Sequence, residues 1–213
     1  MQTELEKRII TSLILIPISL FFVIKGSIFF IFFLTIIFFI ISSEWLKICK
    51  NKTSMKIIGI LFFLASIYCT YLIRIEKGIN LFLFVVLISI LTDIGGYIFG
   101  KAFKGPKLTK ISPNKTYSGL IGSLILSMIG GICYAKFIIG IIWEPTNILD
   151  FLILIVLISS VSQLGDLTIS FFKRLAKIKN TGKILPGHGG LLDRLDGIIF
   201  AIPVTYLVFT YIK

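Results

Sequence analysis

The chain has a single histidine, three cysteines and only ten acidic residues against twenty-two basic ones. Each scarcity excludes something. Cys49, Cys69 and Cys133 are scattered in or beside apolar segments without metal-ligand spacing, which argues against a thiolate metal centre and leaves them the expected role of small buried hydrophobes. There is no internal repeat, no low-complexity tract and no stretch polar enough for a soluble domain; the longest polar segments are 101–118 and 173–196. The apolar runs lack the polar/apolar alternation of outer-membrane strands, which excludes a barrel. No small-x-small cleavage motif follows Lys7, Arg8 and the run from Ile9, so the first apolar segment is read as a retained helix rather than a cleaved signal.

What is abundant is hydrocarbon. Hydrophobic residues make up 56% of the 213, with 20 Phe, and the mean hydropathy is +1.01, far beyond what a soluble domain tolerates on its surface. The sequence therefore predicts an all-α, polytopic transmembrane helical bundle forming a single integral membrane domain over 1–213, because helices satisfy their own backbone in lipid. Apolar blocks fall at about 9–24, 28–43, 57–73, 79–100, 119–142, 148–172 and 197–212, which gives about seven spans. The first two blocks are short for a core about 30 Å thick, so Lys25 is expected to snorkel or the pair to sit obliquely.

The basic residues orient the bundle. With the N-terminus inside, the tail and alternate loops hold Lys7 and Arg8; Lys47, Lys50, Lys52 and Lys56; Lys101, Lys104, Lys107, Lys110 and Lys115; and the six of the 173–196 loop. That places seventeen of twenty-two on one side and leaves Lys25, Arg74, Lys77, Lys136 and Lys213 on the other. The positive-inside rule then gives N-in, C-out, with the +12 net charge facing anionic headgroups and anionic solutes. Nucleic acid is not an expected partner, since the lysines are spread over loops that flank the membrane.

Against this background the acids are informative, because a carboxylate in or beside a span is expensive unless it pairs or binds a cation. Asp93 lies toward the inner end of the fourth block, Asp166 toward the inner half of the sixth, and Asp193 and Asp196 immediately before the seventh. Glu44, beside Trp45, also approaches the inner surface, and there a helix-end ion pair is the expected role. For Asp166 and Asp193 metal binding is expected, because Mg²⁺ commonly takes one or two carboxylates together with substrate phosphates.

Residues 170–196 hold eight charged groups and His188. Lys173 and Arg174 emerge from the sixth block, Pro186-Gly187-His188-Gly189-Gly190 permits close backbone approach to a ligand, and Asp193-Arg194-Leu195-Asp196 follows. Glycines free the backbone to present N–H groups to an anion. If 192 onward is helical, Asp193 and Asp196 share a face by their i, i+3 spacing and Arg194 turns aside. A glycine-rich loop alone is usually only a turn; joined to carboxylates and a basic pair, it points to a metal-nucleotide site. His188, between two glycines, is read as a phosphate donor or an acid/base.

Ser170-x-Phe172-Lys173-Arg174, Lys179, Gly182, Leu185-Pro186, His188-Gly189-Gly190-Leu191 and Asp193-Arg194-Leu195-Asp196 resemble the signature of the phosphatidate cytidylyltransferase, or CDP-diacylglycerol synthase, family. The likeness continues upstream through Gln163-Leu164-Gly165-Asp166 and through TDIGGYIFGKAF and KISPNKTYSG, and covers roughly 90–205. Two departures stand out. Asn180 occupies a position where the family usually has Asp, and family members are commonly longer, with more N-terminal spans.

The resemblance implies transfer of a cytidylyl group from CTP to phosphatidic acid, giving CDP-diacylglycerol and pyrophosphate; the inner-face loops and the absence of a cleaved signal argue for a bacterial-type cytoplasmic membrane, with an organellar membrane as the alternative. It implies Mg²⁺, alone or with a second cation, on Asp166 and Asp193; Lys173, Arg174, His188 and Arg194 on phosphates; and Asp196 as a supporting partner or further cation ligand. Ser112, Pro113, Lys115 and Thr116 would close over the nucleotide or lipid phosphate, with Gly189 and Gly190 against substrate and Asp93 organising that side; a basic loop that merely touches anionic lipid is the plain alternative. A homodimer is a further implication of the family. The rival enzyme is a CTP-dependent activity on another lipid, such as a polyprenol. The rival from another class is a transporter with Asp93 and Asp166 lining a pathway, against which stand the one-sided acids and the lack of repeat halves.

Overall fold

The computed structural model describes residues 3–50, 52–109, 112, 115–139 and 148–211, and all of these except Glu4, Leu5, Ile138 and Ile139 with their side chains. Seven α-helices occupy the seven apolar blocks: α1 Glu4–Lys25, α2 Ser27–Cys49, α3 Thr53–Leu72, α4 Ile79–Phe103, α5 Tyr117–Tyr134, α6 Ile148–Leu175 and α7 Leu192–Tyr211. Among the described residues there is no strand; two isolated antiparallel bridges, Lys107 with Thr116 and Leu185 with Gly189, sit in the two polar loops. α3 and α5 each end in a wider turn, Ile73–Lys77 and Ala135–Ile139. The all-α bundle expected from hydropathy is what forms.

One expectation is corrected. The first two helices are not short: α1 runs 22 residues and α2 23, because polar flanks that hydropathy discards are helical too. At the start of α1, Thr3 and Glu6 cap each other, with the Thr3 N–H on Glu6 Oε2 at 3.0 Å and the Glu6 N–H on Thr3 Oγ1 at 3.2 Å. α1 stops at Gly26, whose φ of 63° suits glycine. Among the described residues six of the seven helices are long and apolar enough to cross a membrane by length and composition; α7, which opens on Asp193, Arg194 and Asp196 and carries Pro203, is outside that set. The chain is a multi-pass membrane protein.

The chain groups into two compact units, each built from separated stretches. The first comprises Met1–Tyr71 with Phe172–Leu195. Its core holds Phe30, Leu34, Ile41, Trp45, Ile48, Phe63 and Leu192. Trp45 is clasped there: its indole N–H reaches the Met55 carbonyl at 3.0 Å, and its ring meets Phe63 and Phe172 edge-on at 5.6 and 4.9 Å.

The second unit comprises Leu72–Phe171 with Asp196–Lys213. Small residues bring α4 against α5: a Cβ on Gly95 would stand 2.6 Å from the Gly122 carbonyl oxygen, and one on Gly119 2.7 Å from that of Gly96. Thr92 Oγ1 meets Ser127 Oγ at 2.8 Å and Ser159 Oγ at 2.9 Å, so hydroxyls join α4, α5 and α6 deep in the unit. The cysteines only partly follow expectation. Cys49 is buried and Cys69 half-buried, but Cys133 is exposed on the outer surface of α5.

Candidate functional site

In the first unit the chain from Lys173 to Leu195 folds around two carboxylates. Residues 185–189 close a tight turn: the His188 and Gly189 N–H groups both donate to the Leu185 carbonyl, at 2.9 and 3.0 Å, and the Leu185 N–H donates to the Gly189 carbonyl at 2.9 Å. Gly187 and Gly189, at φ 76° and 94°, make the turn possible. Gly189 also has the Asn180 side chain against it, the position where the family usually has Asp.

Asp193 is the hub. Its Oδ1 takes the Lys173 ammonium at 2.8 Å, and its Oδ2 accepts from the Thr181 N–H at 2.8 Å, the Gly190 N–H at 3.1 Å and the Thr181 hydroxyl at 3.1 Å. The Lys173 and Asp193 side chains are only 11% and 9% exposed, so neither charge is left to water. The loop amides described at 188–192 are thus turned onto protein acceptors, and contact with an anion falls to the basic side chains. Arg194 is exposed and donates to the His188 carbonyl at 2.9 Å; Arg174 is exposed at the end of α6. Burial pushes the His188 imidazole below its ordinary range, and the guanidiniums of Arg194 and Arg8 push the same way against an opposing backbone contact at Pro186. The shift favours the uncharged ring, which offers one N–H donor and one ring-nitrogen acceptor.

Two features of this unit escape sequence reading. Glu44, expected in a helix-end ion pair, is fully buried and accepts instead from the Thr181 hydroxyl, the Leu192 N–H and the Leu191 N–H at 2.8, 2.8 and 3.0 Å. That expectation is corrected because the start of α7 offers free N–H groups that a carboxylate satisfies. From α1, Arg8 Nε donates to the Gly187 carbonyl at 2.8 Å, Thr11 Oγ1 to the Pro186 carbonyl at 3.0 Å, and Ser12 Oγ lies 3.5 Å from His188 Nε2. A groove of about 410 Å³ runs from Arg8 past Ile9, Leu13, Ile16 and Pro17.

In the second unit the Lys115 ammonium meets Asp166 Oδ2 at 2.6 Å, and the Ser170 hydroxyl donates to Asp166 Oδ1 at 3.2 Å. This ion pair is about a quarter exposed, so it is weaker and more exchangeable than the Lys173–Asp193 pair. The loop carrying Lys115 is held by the Leu108 N–H on the Lys115 carbonyl at 2.8 Å and the Lys115 N–H on the Ser112 carbonyl at 3.0 Å. Thr116 caps α5, accepting the Gly119 N–H at 3.1 Å. Asp196 is buried, with Oδ1 on its neighbour's Gly197 N–H at 3.0 Å, and Asp93 is exposed on α4. Pro113 lies outside the described residues.

Among the described residues no three His, Cys, Asp or Glu side chains gather as a metal cage. Mg²⁺ does not need one, since one or two carboxylates plus substrate phosphates suffice. Asp166 and Asp193 fit that chemistry: each presents hard anionic oxygens and already holds a cationic ammonium.

The architecture defines a class: a helical membrane protein with a lysine–carboxylate pair in each unit, the one in the first unit beside a glycine turn. The chain belongs to the cytidylyltransferase family, whose model matches residues 50–212. It is 43% identical over 132 residues to a phosphatidate cytidylyltransferase of Staphylococcus saprophyticus, covering 61% of this chain and 48% of that protein. A phosphatidate cytidylyltransferase of Haemophilus influenzae is 39% identical over 127 residues, 59% of this chain and 44% of its own. The Escherichia coli protein YnbB is 41% identical over 139 residues, with 65% and 45% covered. The chain spans about half the length of the curated relatives it matches.

Proposed function

We propose that the chain transfers CMP from CTP to phosphatidic acid, forming CDP-diacylglycerol and releasing pyrophosphate. The observation that carries this reading is the loop of the first unit, in which Asp193, Lys173, His188 and Arg194 are locked together by short hydrogen bonds and a nearly buried ion pair. The family match and the phosphatidate cytidylyltransferase relatives point the same way.

A phosphate oxygen of phosphatidic acid attacks the α-phosphorus of CTP. The new P–O bond forms as the α–β anhydride bond breaks, and the electron pair leaves with pyrophosphate in line. No covalent enzyme intermediate is required. Lys173, Arg174 and Arg194 hold phosphate oxygens, and the neutral His188 ring supplies a hydrogen bond. On the family pattern, Ser112, Lys115 and Thr116 hold a further phosphate, with Asp93 supporting their loop, Gly189 and Gly190 giving the backbone room, and Asp196 as a supporting partner or further cation ligand. We assign cation binding to Asp193 in the first unit and, separately, to Asp166 in the second; Mg²⁺ held by such a carboxylate would offset charge growing on the phosphates. The groove behind Arg8, cationic at one end and apolar along its length, suits an anionic lipid with acyl chains.

We place the protein in the inner membrane with both polar loops toward the cytoplasm, on the strength of seventeen of twenty-two basic residues falling on that side. The substrate test supplies purified protein with labelled CTP and either phosphatidic acid or a polyprenol. Label enters the phosphatidic acid product alone; label on polyprenol and none on phosphatidic acid contradicts the assignment.

A further inference from the structure

Glu44 reaches the loop from α2, outside the residues the family model matches. It is 0% exposed, yet it is not paired with a lysine or arginine in the way a buried charge commonly is. Both of its oxygens are engaged: Oε1 accepts the Leu191 N–H, and Oε2 accepts the Leu192 N–H and the Thr181 hydroxyl. The surrounding backbone is moulded to it. A Cβ on Gly182 would lie 2.4 Å from Oε1, and one on Gly190 2.6 Å from Oε2, so both positions need glycine for the carboxylate to fit.

Thr181 links this acid to the next. Its hydroxyl stands 2.8 Å from Glu44 Oε2 and 3.1 Å from Asp193 Oδ2, while its N–H donates to Asp193 at 2.8 Å. A hydroxyl has one proton to give, so it serves one carboxylate at a time. The shorter contact assigns it to Glu44, which leaves Asp193 Oδ2 to the Thr181 and Gly190 amides. Glu44 also fixes the amides of Leu191 and Leu192, directly before Asp193.

We propose that Glu44 is a positioning residue for the reaction: by holding Thr181 and the start of α7 it sets the direction in which Asp193 presents its carboxylate to a cation. This rests on the reading of the 180–196 loop as the part that handles the metal and nucleotide. A glutamine keeps the shape of Glu44 but turns an NH₂ toward an N–H or O–H donor, leaving at least one donor unpaired, and one lost hydrogen bond to a charged acceptor corresponds to about tenfold or more. An aspartate keeps the charge but is one methylene shorter.

The test measures CTP kinetics and Mg²⁺ dependence of full-length Glu44→Gln, Glu44→Asp, Thr181→Ala and the Glu44→Gln/Thr181→Ala double variant, together with amide hydrogen exchange of each protein without substrate. Glu44→Gln is expected to raise the KM for CTP and the Mg²⁺ needed for half activity about tenfold, with kcat within about threefold of the parent. Glu44→Asp is expected to recover part of the loss. Thr181→Ala moves the same parameters in the same direction, and the double variant is no worse than Glu44→Gln alone within about twofold. Exchange in peptides spanning 183–195 rises about tenfold while α4 and α5 are unchanged. Unchanged KM and Mg²⁺ dependence, additive losses in the double variant, or exchange that rises equally through the whole chain would each overturn the proposal. If the parent protein converts no phosphatidic acid, the proposed reaction fails, and unchanged loop exchange in Glu44→Gln would still be a separate failure of the positioning role.

Discussion

At the scale of single residues, the contrast between Lys173 and Asp193 is the sharpest. Removing the lysine leaves Asp193 with the Thr181 and Gly190 amides as donors, whereas removing the aspartate's charge leaves a nearly buried ammonium with its acceptor weakened. Asp193→Asn is therefore expected to lower unfolding stability by about 3 kcal/mol and Lys173→Met by about 1 kcal/mol, read from thermal unfolding in detergent; the reverse order would refute this account of the pair. His188 gives a pH signature. Its native pKa lies below the ordinary value of about 6.5, so the unfolded chain binds the proton more readily and stability is lost as pH falls below that value. His188→Gln should flatten the decline in melting temperature between about pH 6.5 and pH 5; an unchanged slope would show that the ring is not its source. Asp166, Asp193 and the basic pair were visible in the sequence as charges in an apolar chain. The loop contacts of Glu44 and Arg8 were not, because their partners lie 137 to 148 and 179 residues away and no local spacing announces them.

At the scale of elements, hydropathy located every helix but misjudged the ends. It responds to the hydrocarbon-matched part, while caps such as Thr3 with Glu6 and polar turns such as Ser42–Cys49 extend the helices into the interface. The small residues joining α4 and α5 drew no reading from the sequence, since their packing shows only in contacts. They make a paired prediction. Gly95→Ala places a methyl 2.6 Å from the Gly122 carbonyl oxygen and should cost about 1–3 kcal/mol. Gly96→Ala, whose nearest neighbour is 3.9 Å away, should change stability by less than about 0.5 kcal/mol. Equal melting temperatures for the two variants would contradict the close α4–α5 approach. The glycine turn shows the limit of motif reading from the other side: its residues suggested amides offered to phosphate, but folding spends the described ones on Leu185, Asp193 and Glu44.

At the scale of the whole molecule, one-sided charge predicts orientation. With the native cysteines replaced by serine, Lys183→Cys should react with a membrane-impermeant thiol reagent only from the cytoplasmic side and Lys77→Cys only from the opposite side; the reversed pattern would invert the proposed topology. The chain matches about half the length of its curated relatives, and the family model's match over residues 50–212 takes in Asp166, Asp193, Lys115, Lys173 and the glycine turn. The central claim is that these residues transfer a nucleotide to a lipid phosphate. It is tested most directly by following CDP-diacylglycerol and pyrophosphate formed from CTP and phosphatidic acid, with and without Mg²⁺, by the purified parent and by Asp193→Asn protein shown to be folded at the assay temperature. The account predicts equal amounts of both products from the parent, dependent on Mg²⁺, and loss of about 100-fold or more in the variant. No product from folded, lipid-supplied parent, or undiminished product from Asp193→Asn, would contradict it.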